Sequence, residues 1–411
     1  MTDVTDAVRS DAQELDLFAL PDDYFDNPAP YFRLLRDGDP FHWNSDGSLL
    51  LTRFQDVRQI WRDTSGVVDK SEMFHAKFGE GPLLEHHTTS MLFRDPPDHD
   101  RLRAVVETYF MPTRIKTLRP FVEQVVQETI DSLENRDEID FVSEFAFLLP
   151  VNVICRILGL PVSDAHYIQA LGRKVLFPLN PRVDAEAIAD GHAAAEEFRE
   201  YLRGFVTAAR KNPALDPSDN VIATMVAEER AGHQISENEM LHMGILLLNG
   251  GHETTTNLIS QSINALLDDP AARAAVTDGS VPIEVALEEL IRFVTPLQLQ
   301  GRRTTREITL ESGIGTIPAG TEVIICQASA NRDDRVFEEP DRLNLTRRPN
   351  NHVAFGAGVH VCLGRSLARI ELSVAIPAVL RNFPKLARSA PPVFNRNTRF
   401  RGLNRMPVRL R

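Results

Sequence analysis

Phe355-Gly356-Ala357-Gly358-Val359-His360-Val361-Cys362-Leu363-Gly364 brings three glycines, a histidine and a cysteine into one short stretch. Gly356 and Gly358 admit backbone angles denied to other residues, so the stretch reads as a tight loop. Beyond it, Leu363, Leu367, Ile370 and Val374 recur at helical spacing. Cys362 is therefore expected at a helix N-terminus, where unpaired amides and the helix dipole favour a thiolate. Such a thiolate suits a nucleophile or a metal ligand. A nucleophile needs an oriented base, and His360, two residues away in the same loop, is poorly placed to be one. A merely structural cysteine competes badly too, because at average residue usage this spacing arises by chance in on the order of one chain in a million.

Only three cysteines occur in 411 residues, so no disulfide framework is expected. Cys155, in an apolar helical run, and Cys326, closing the strand-like TEVIIC, read as small core residues. Helical periodicity dominates: 98–110, 119–134, 141–158, 185–211, 219–230, 236–268 and 283–294 all carry apolar residues three and four apart. Ser236 with Glu239 forms a capping box, and Asp219 is a candidate cap for the segment after it. Short strand-like pieces fall at 47–53, 307–310 and 321–326. The reading is mainly α with a small, dispersed β part. No linker divides the chain, so residues 21–411 are expected to form a single domain after a flexible segment at 1–20.

A formal net charge of −13 argues against bulk binding to nucleic acid, which needs a basic surface. The N-terminus lacks the pattern of a signal peptide, and no apolar run reaches the roughly 18 residues of a membrane span. A cytoplasmic protein, with no membrane partner, is the expectation.

Within 236–268 the run MGILLLN is apolar all round, which predicts a helix buried on every side. Gly250-Gly251 follows and is expected to interrupt it, since mid-helix glycine costs roughly 1 kcal/mol relative to alanine. Close approach of something flat and large would compensate. Glu253-Thr254 then sets a carboxylate beside a hydroxyl, a pairing that can relay protons. Thr254 can also bond the Gly250 carbonyl. Taken alone, this stretch could equally be a helix crossing with a polar patch. Asn249 is read as facing substrate or satisfying a backbone group.

FGAGVHVCLG resembles the heme-binding loop of the cytochrome P-450 family, and GGHETT resembles that family's oxygen-binding motif. The resemblance spans roughly residues 20–411, with the motifs in family order. It implies the triangular, mainly helical P-450 fold, with heme between the oxygen-binding helix and the helix after the cysteine loop. It implies Cys362 as iron ligand through its thiolate, which favours O–O cleavage. Phe355 would pack beside the thiolate, Gly250 and Gly251 would lie against the heme, and Thr254 and Glu253 would supply protons. His99, Arg103, His360 and Arg302 would hold the propionates, with Arg303 the alternative to Arg302. Glu289 and Arg292, joined by Arg342, match a buried structural lock.

The implied activity is insertion of one oxygen atom from O2 into a small, mostly apolar molecule with one polar handle, by hydroxylation or dealkylation. The cofactor would be heme b, with reducing equivalents from NAD(P)H delivered by a separate ferredoxin and its reductase. Arg365, Arg369, Arg114 and Lys116 would form the ferredoxin's docking patch on an otherwise monomeric protein. Pocket walls are expected from 72–95, 170–182, Leu246 to Asn249, 297–300 and the turn near Phe400, with Phe93, Phe177, Leu247, Asn249, Leu297, Gln298 and Phe400 foremost. A peroxide-driven enzyme of the same superfamily would be expected to lack the Glu253-Thr254 pair. A non-catalytic heme sensor would need neither that pair nor the double glycine.

Overall fold

The computed structural model describes residues 11–180, 183–232 and 235–411. Residues 1–10 and 181–182, which belong to the expected flexible segment and to one expected pocket wall, lie outside them. Residues 11–20 pack onto the domain: Leu17 is buried beside Tyr24 and Phe32, and its amide donates to Asn44 Oδ1 at 3.2 Å.

One five-stranded sheet is built from β1 (Phe41–Trp43), β2 (Leu49–Leu51), β3 (Gly66–Val67), β4 (Leu299–Thr304) and β5 (Glu322–Cys326). The order is β1-β2-β5-β4-β3, with β2 and β5 parallel and the remaining pairs antiparallel. The central parallel pair is covered on both faces, which is why it reads as the continuous apolar runs LLL and VIIC. The strand expected at 307–310 pairs elsewhere, in a ribbon of Ile308–Thr309 with Thr316–Ile317.

The helices that place the site are α1 (Ser71–Phe78), α2 (Pro82–Thr89), α3 (Asp98–Glu107), α4 (Arg119–Ser132), α5 (Leu148–Leu158), α6 (Ala165–Leu176), α7 (Ala185–Lys211), α8 (Glu237–Asp268), α9 (Ile283–Val294) and α10 (Arg365–Asn382). Helix α8 starts at the predicted capping box, with both reciprocal bonds of Ser236 and Glu239 formed. It runs through the middle of the main core and packs against α5, α6, α7, α9 and α10, so its all-round apolarity is satisfied by neighbours on every side.

Three local expectations are corrected. Gly250-Gly251 does not interrupt α8, which is continuous; tertiary packing outweighs the glycine cost. The segment 141–158 is two elements: a wide turn at Val142–Ala146, closed by Phe147 N to Val142 O at 2.9 Å, precedes α5. Pro150 explains the break, because it has no N–H to bond the carbonyl of residue 146. The helix Val221–Arg230 is capped by Asn220, whose Oδ1 accepts from Ala223 N at 2.8 Å, and not by Asp219. Among the described residues no helix is long and apolar enough to cross a membrane.

Candidate active site

Gly356 and Gly358 adopt φ of +71° and +73°, as the tight loop requires. A Cβ on Gly358 would run into the Trp61 carbonyl. Cys362 N donates to Phe355 O at 2.9 Å, which folds the loop back under its own thiol. The Phe355 ring is fixed from outside, with the Arg369 guanidinium 4.7 Å from its centroid. Glu288 anchors Arg369 through contacts of 2.6 and 2.8 Å, and that ion pair helps hold the Glu288 carboxyl near pKa 2. Cys362 precedes α10, whose N-cap is Gly364. Burial raises its pKa above the ordinary thiol value, opposed by the Gly364 amide and by Arg365, Arg103 and Arg369. The expected depression is thus outweighed by desolvation, and a metal would have to displace the proton to bind thiolate. Cys155 and Cys326 are buried, each pushed up to about 12 by desolvation.

Between Met240 and Ile263, where α8 is otherwise buried, Leu246, Gly250, Gly251, Glu253 and Thr254 remain accessible. Leu246, Gly250, Glu253 and Thr254 share one helical face, with Gly251 at its edge. Nothing in the protein lies within 4 Å of a Cβ built on Gly250, whereas one on Gly251 would meet Ile154 Cγ1 at 2.7 Å. The two glycines therefore do different work, Gly250 toward open interior space and Gly251 toward α5. Thr254 Oγ1 donates to the Gly250 carbonyl at 3.1 Å, as predicted. Burial raises the Glu253 carboxyl above the usual range, against a weaker pull from Arg173. A carboxyl held toward its neutral form beside a hydroxyl can give and take protons.

Four cationic or imidazole side chains meet at the other end of the cysteine loop. The His99 and His360 rings lie 4.2 Å apart. Arg103 donates to the carbonyls of Val359 at 3.4 Å and Val361 at 3.0 Å. Arg302 is buried and bonds only its neighbour's carbonyl, Gly301 O, at 2.9 Å; burial pushes it down to about 10. Arg303 turns out from β4 to Glu72 at 3.0 Å. Strand alternation thus makes Arg302 the inward residue of the pair. His360 Nε2 is buried and has no hydrogen-bond partner within normal reach, its nearest carboxylate being Asp95 Oδ1 at 4.0 Å. Donors left over in this way suit carboxylates of a bound group.

The expected walls divide. Phe93 packs edge-on against Phe74 at 5.1 Å and His87 at 5.2 Å. Leu297 and Phe400 are partly accessible and pair through an isolated bridge. Leu247 is buried, and Leu246 takes its place on the accessible stripe. Asn249 points at α6, where a Cβ on Gly172 would strike its Oδ1. Phe177 is 48% exposed. Gln298 lines a separate cleft of about 560 Å³, together with Phe293, Phe394 and Arg401. These departures share a cause: one residue of shift around a helix or strand changes the face.

The model of the family described as Cytochrome P450 matches residues 283–402. The vitamin D(3) 25-hydroxylase of Pseudonocardia autotrophica is 35% identical over 401 residues, 94% of each chain. The chain belongs to the cytochrome P450 family. Its fold is shared with the crystal structure of CalO2, at TM-score 0.88 and 28% identity over 95% of this chain and 97% of that one. The structure of P450BioI in complex with hexadec-9Z-enoic acid ligated acyl carrier protein gives TM-score 0.87 at 27% identity, over 95% of this chain and 100% of that one. This P450 is a heme-dependent monooxygenase that draws on dioxygen, reducing equivalents from redox partners and a small-molecule substrate.

The buried lock of this P450 differs from expectation in its third member. Glu289 and Arg292 are fully buried and bonded twice at 2.7 Å. The partner is Arg347, whose Nε donates to Glu289 Oε2 at 3.0 Å, while Arg342 is exposed and pairs with Glu339. The turn at 339–342 faces Arg342 outward, and five residues further the chain points in. Of the anticipated basic patch, Arg369 is held by Glu288 and Arg114 by Ser218 O and the Tyr109 ring; Arg365 and Lys116 are exposed.

Proposed function

We propose that the chain inserts one oxygen atom from dioxygen into a compact, largely apolar organic substrate, by hydroxylation or oxidative dealkylation, using heme b ligated by Cys362. The observation that carries this reading is the Gly250–Thr254 stripe. It is the accessible patch in the middle of a helix that is otherwise buried there, it bears an acid–alcohol pair, and Gly250 leaves room beside it. Heme, when bound, supplies dioxygen binding and two-electron oxidising chemistry. Cys362 would hold the iron from the loop side, and His99, Arg103, Arg302 and His360 would bind the propionates. Phe355, under Arg369, would shield the thiolate from solvent. Thr254 would position a proton donor at the distal face, and Glu253 would resupply it.

Reducing equivalents would come from NAD(P)H through a ferredoxin and its reductase, docking where Arg365 and Lys116 are exposed. Residues 21–411 would act as one heme domain in a monomeric, cytoplasmic enzyme. The pocket would be walled by Phe93, Leu246, Leu297 and Phe400. The test is a ligand screen on the heme-loaded protein, following the Soret shift as substrate displaces iron-bound water. Turnover of hits is then measured with a ferredoxin system. Substrate-dependent oxygen uptake with oxygenated product is the expected result; heme binding without any such uptake would overturn the reading.

A further inference from the structure

Arg399 stands in the turn that carries Phe400, and its backbone is tightly fixed. Asn397 Oδ1 accepts from Arg399 N at 3.0 Å and Phe400 N at 2.8 Å, Gln298 N donates to Arg399 O at 2.8 Å, and Arg401 N donates to Pro296 O at 2.8 Å. Arg401 places both terminal nitrogens of its guanidinium on protein acceptors, Gln261 Oε1 at 2.7 Å and the Asp26 carbonyl at 2.6 Å, and stacks on the Phe394 ring; only its Nε is unpartnered. The Arg399 guanidinium has no hydrogen bond, ion pair or ring contact among the described residues. It is partly accessible, yet protein encloses it, and desolvation alone pushes it down to about 10.

The titratable groups that feel Arg399 are Lys70, Lys77 and His87. Lys70 is neutralised by Glu322. Lys77 donates to the Asn180 carbonyl at 2.6 Å and is pushed down to about 8 by burial and by Arg399. His87 sits against the rings of Phe74, Phe78 and Phe93. Neither Arg399 nor Lys77 forms an ion pair with a carboxylate among the described residues, although the chain carries 58 acidic residues against 45 basic ones. Arg302 also acts on Lys70, but unlike Arg399 it has a carboxylate, Asp95, to offset it. The four donors around His360 already suffice for two propionates. Arg399 is thus an interior cation without an anion, in the same turn as Phe400, which pairs with Leu297. A buried guanidinium without an anion is unfavourable, and its planar fork matches a carboxylate in two parallel bonds.

We propose that Arg399, with Lys77, anchors a carboxylate at one end of the substrate, so that the enzyme acts on an apolar molecule carrying an acid group. This rests on the monooxygenase reading above and makes the polar handle an anion. The test titrates the heme-loaded protein with decanoate, methyl decanoate and 1-decanol, by Soret shift and by calorimetry. Wild type should bind decanoate about ten- to a hundredfold more tightly than either neutral analogue, the range of a charge-assisted hydrogen bond. Arg399→Gln should erase that preference and leave the affinity for 1-decanol unchanged, and Arg399→Lys should restore part of it. Equal binding of acid and ester by wild type, or no binding of any of the three, overturns the proposal, as does an undiminished preference in Arg399→Gln. An intact thiolate-type Soret band with no acid preference removes this proposal alone, whereas loss of the band from wild type removes both readings.

Discussion

Thr254 and Glu253 divide the proton chemistry between a hydroxyl bonded to a helix carbonyl and a carboxyl held toward neutrality by burial. Thr254→Ala should retain heme but divert reducing equivalents to peroxide, lowering product formed per NAD(P)H about tenfold or more, since a positioned proton donor contributes at least that much. Unchanged coupling would remove Thr254 from the relay. The pH dependence follows from Glu253. Its pKa is raised, so the protonated donor persists above the range of a free glutamate, and coupling should fall as pH rises through that raised value. Glu253→Gln should lose this alkaline limb, which a pH series of product yield would reveal. At this scale the motifs Gly250 to Thr254 and Phe355 to Gly364 were legible in the sequence because their spacing is so restrictive. The choice of Arg302 over Arg303 was not legible, because it depends on which face of β4 meets Glu72. Nor was Arg399, an arginine in NTRF whose lack of a partner arises only when the turn folds against residues 296–298.

Helix α8 shows why periodicity found the elements but not every detail within them. Its capping box and buried middle were readable, because both are local patterns. Its continuity through two glycines was not, because that comes from the elements packed around it. The glycines give a paired prediction. Gly251→Ala forces a methyl against Ile154, a close overlap in a packed core, and should destabilise by about 1–3 kcal/mol. Ile154→Val should recover part of that loss. Gly250→Ala meets only open space and gains up to about 1 kcal/mol of helix propensity. Thermal melts of the heme-free variants should therefore move in opposite directions. A larger side chain, as in Gly250→Leu, should leave the heme-free melt near wild type but prevent heme loading, read as the Soret-to-protein absorbance ratio. Equal heme loading by Gly250→Leu and wild type would contradict the placing of Gly250 against the cofactor.

Across the whole molecule, Glu289 joins parts of the chain that are far apart in sequence. Its carboxylate takes both bonds of Arg292, the Arg347 guanidinium, the Asn344 amide at 2.9 Å and Asn350 Nδ2 at 3.1 Å. Arg292 in turn reaches the carbonyls of Asn331 and Pro340, and Asn331 holds Thr295 and the Val353 amide at the approach to the cysteine loop. The sequence marked the Glu289–Arg292 spacing, but with two arginines to choose from in DRLNLTR the third member was set by a turn at 339–342. Electron delivery also belongs to this scale: if Arg365 and Lys116 meet an acidic ferredoxin, reduction should slow with added salt, and Lys116→Glu should slow it further at low salt. Stability rests on the lock. Glu289→Gln would leave two buried guanidiniums without their charge and should cost about 3–5 kcal/mol, the penalty for breaking a buried pair from one side. Arg342→Ala, on an exposed pair, should stay within about 0.5 kcal/mol. Chemical denaturation of the two variants separates the cases. Because the lock leads into the loop that carries Cys362, Glu289→Gln should also lose heme at a lower temperature than it loses helix, seen as a Soret loss that precedes the far-ultraviolet transition.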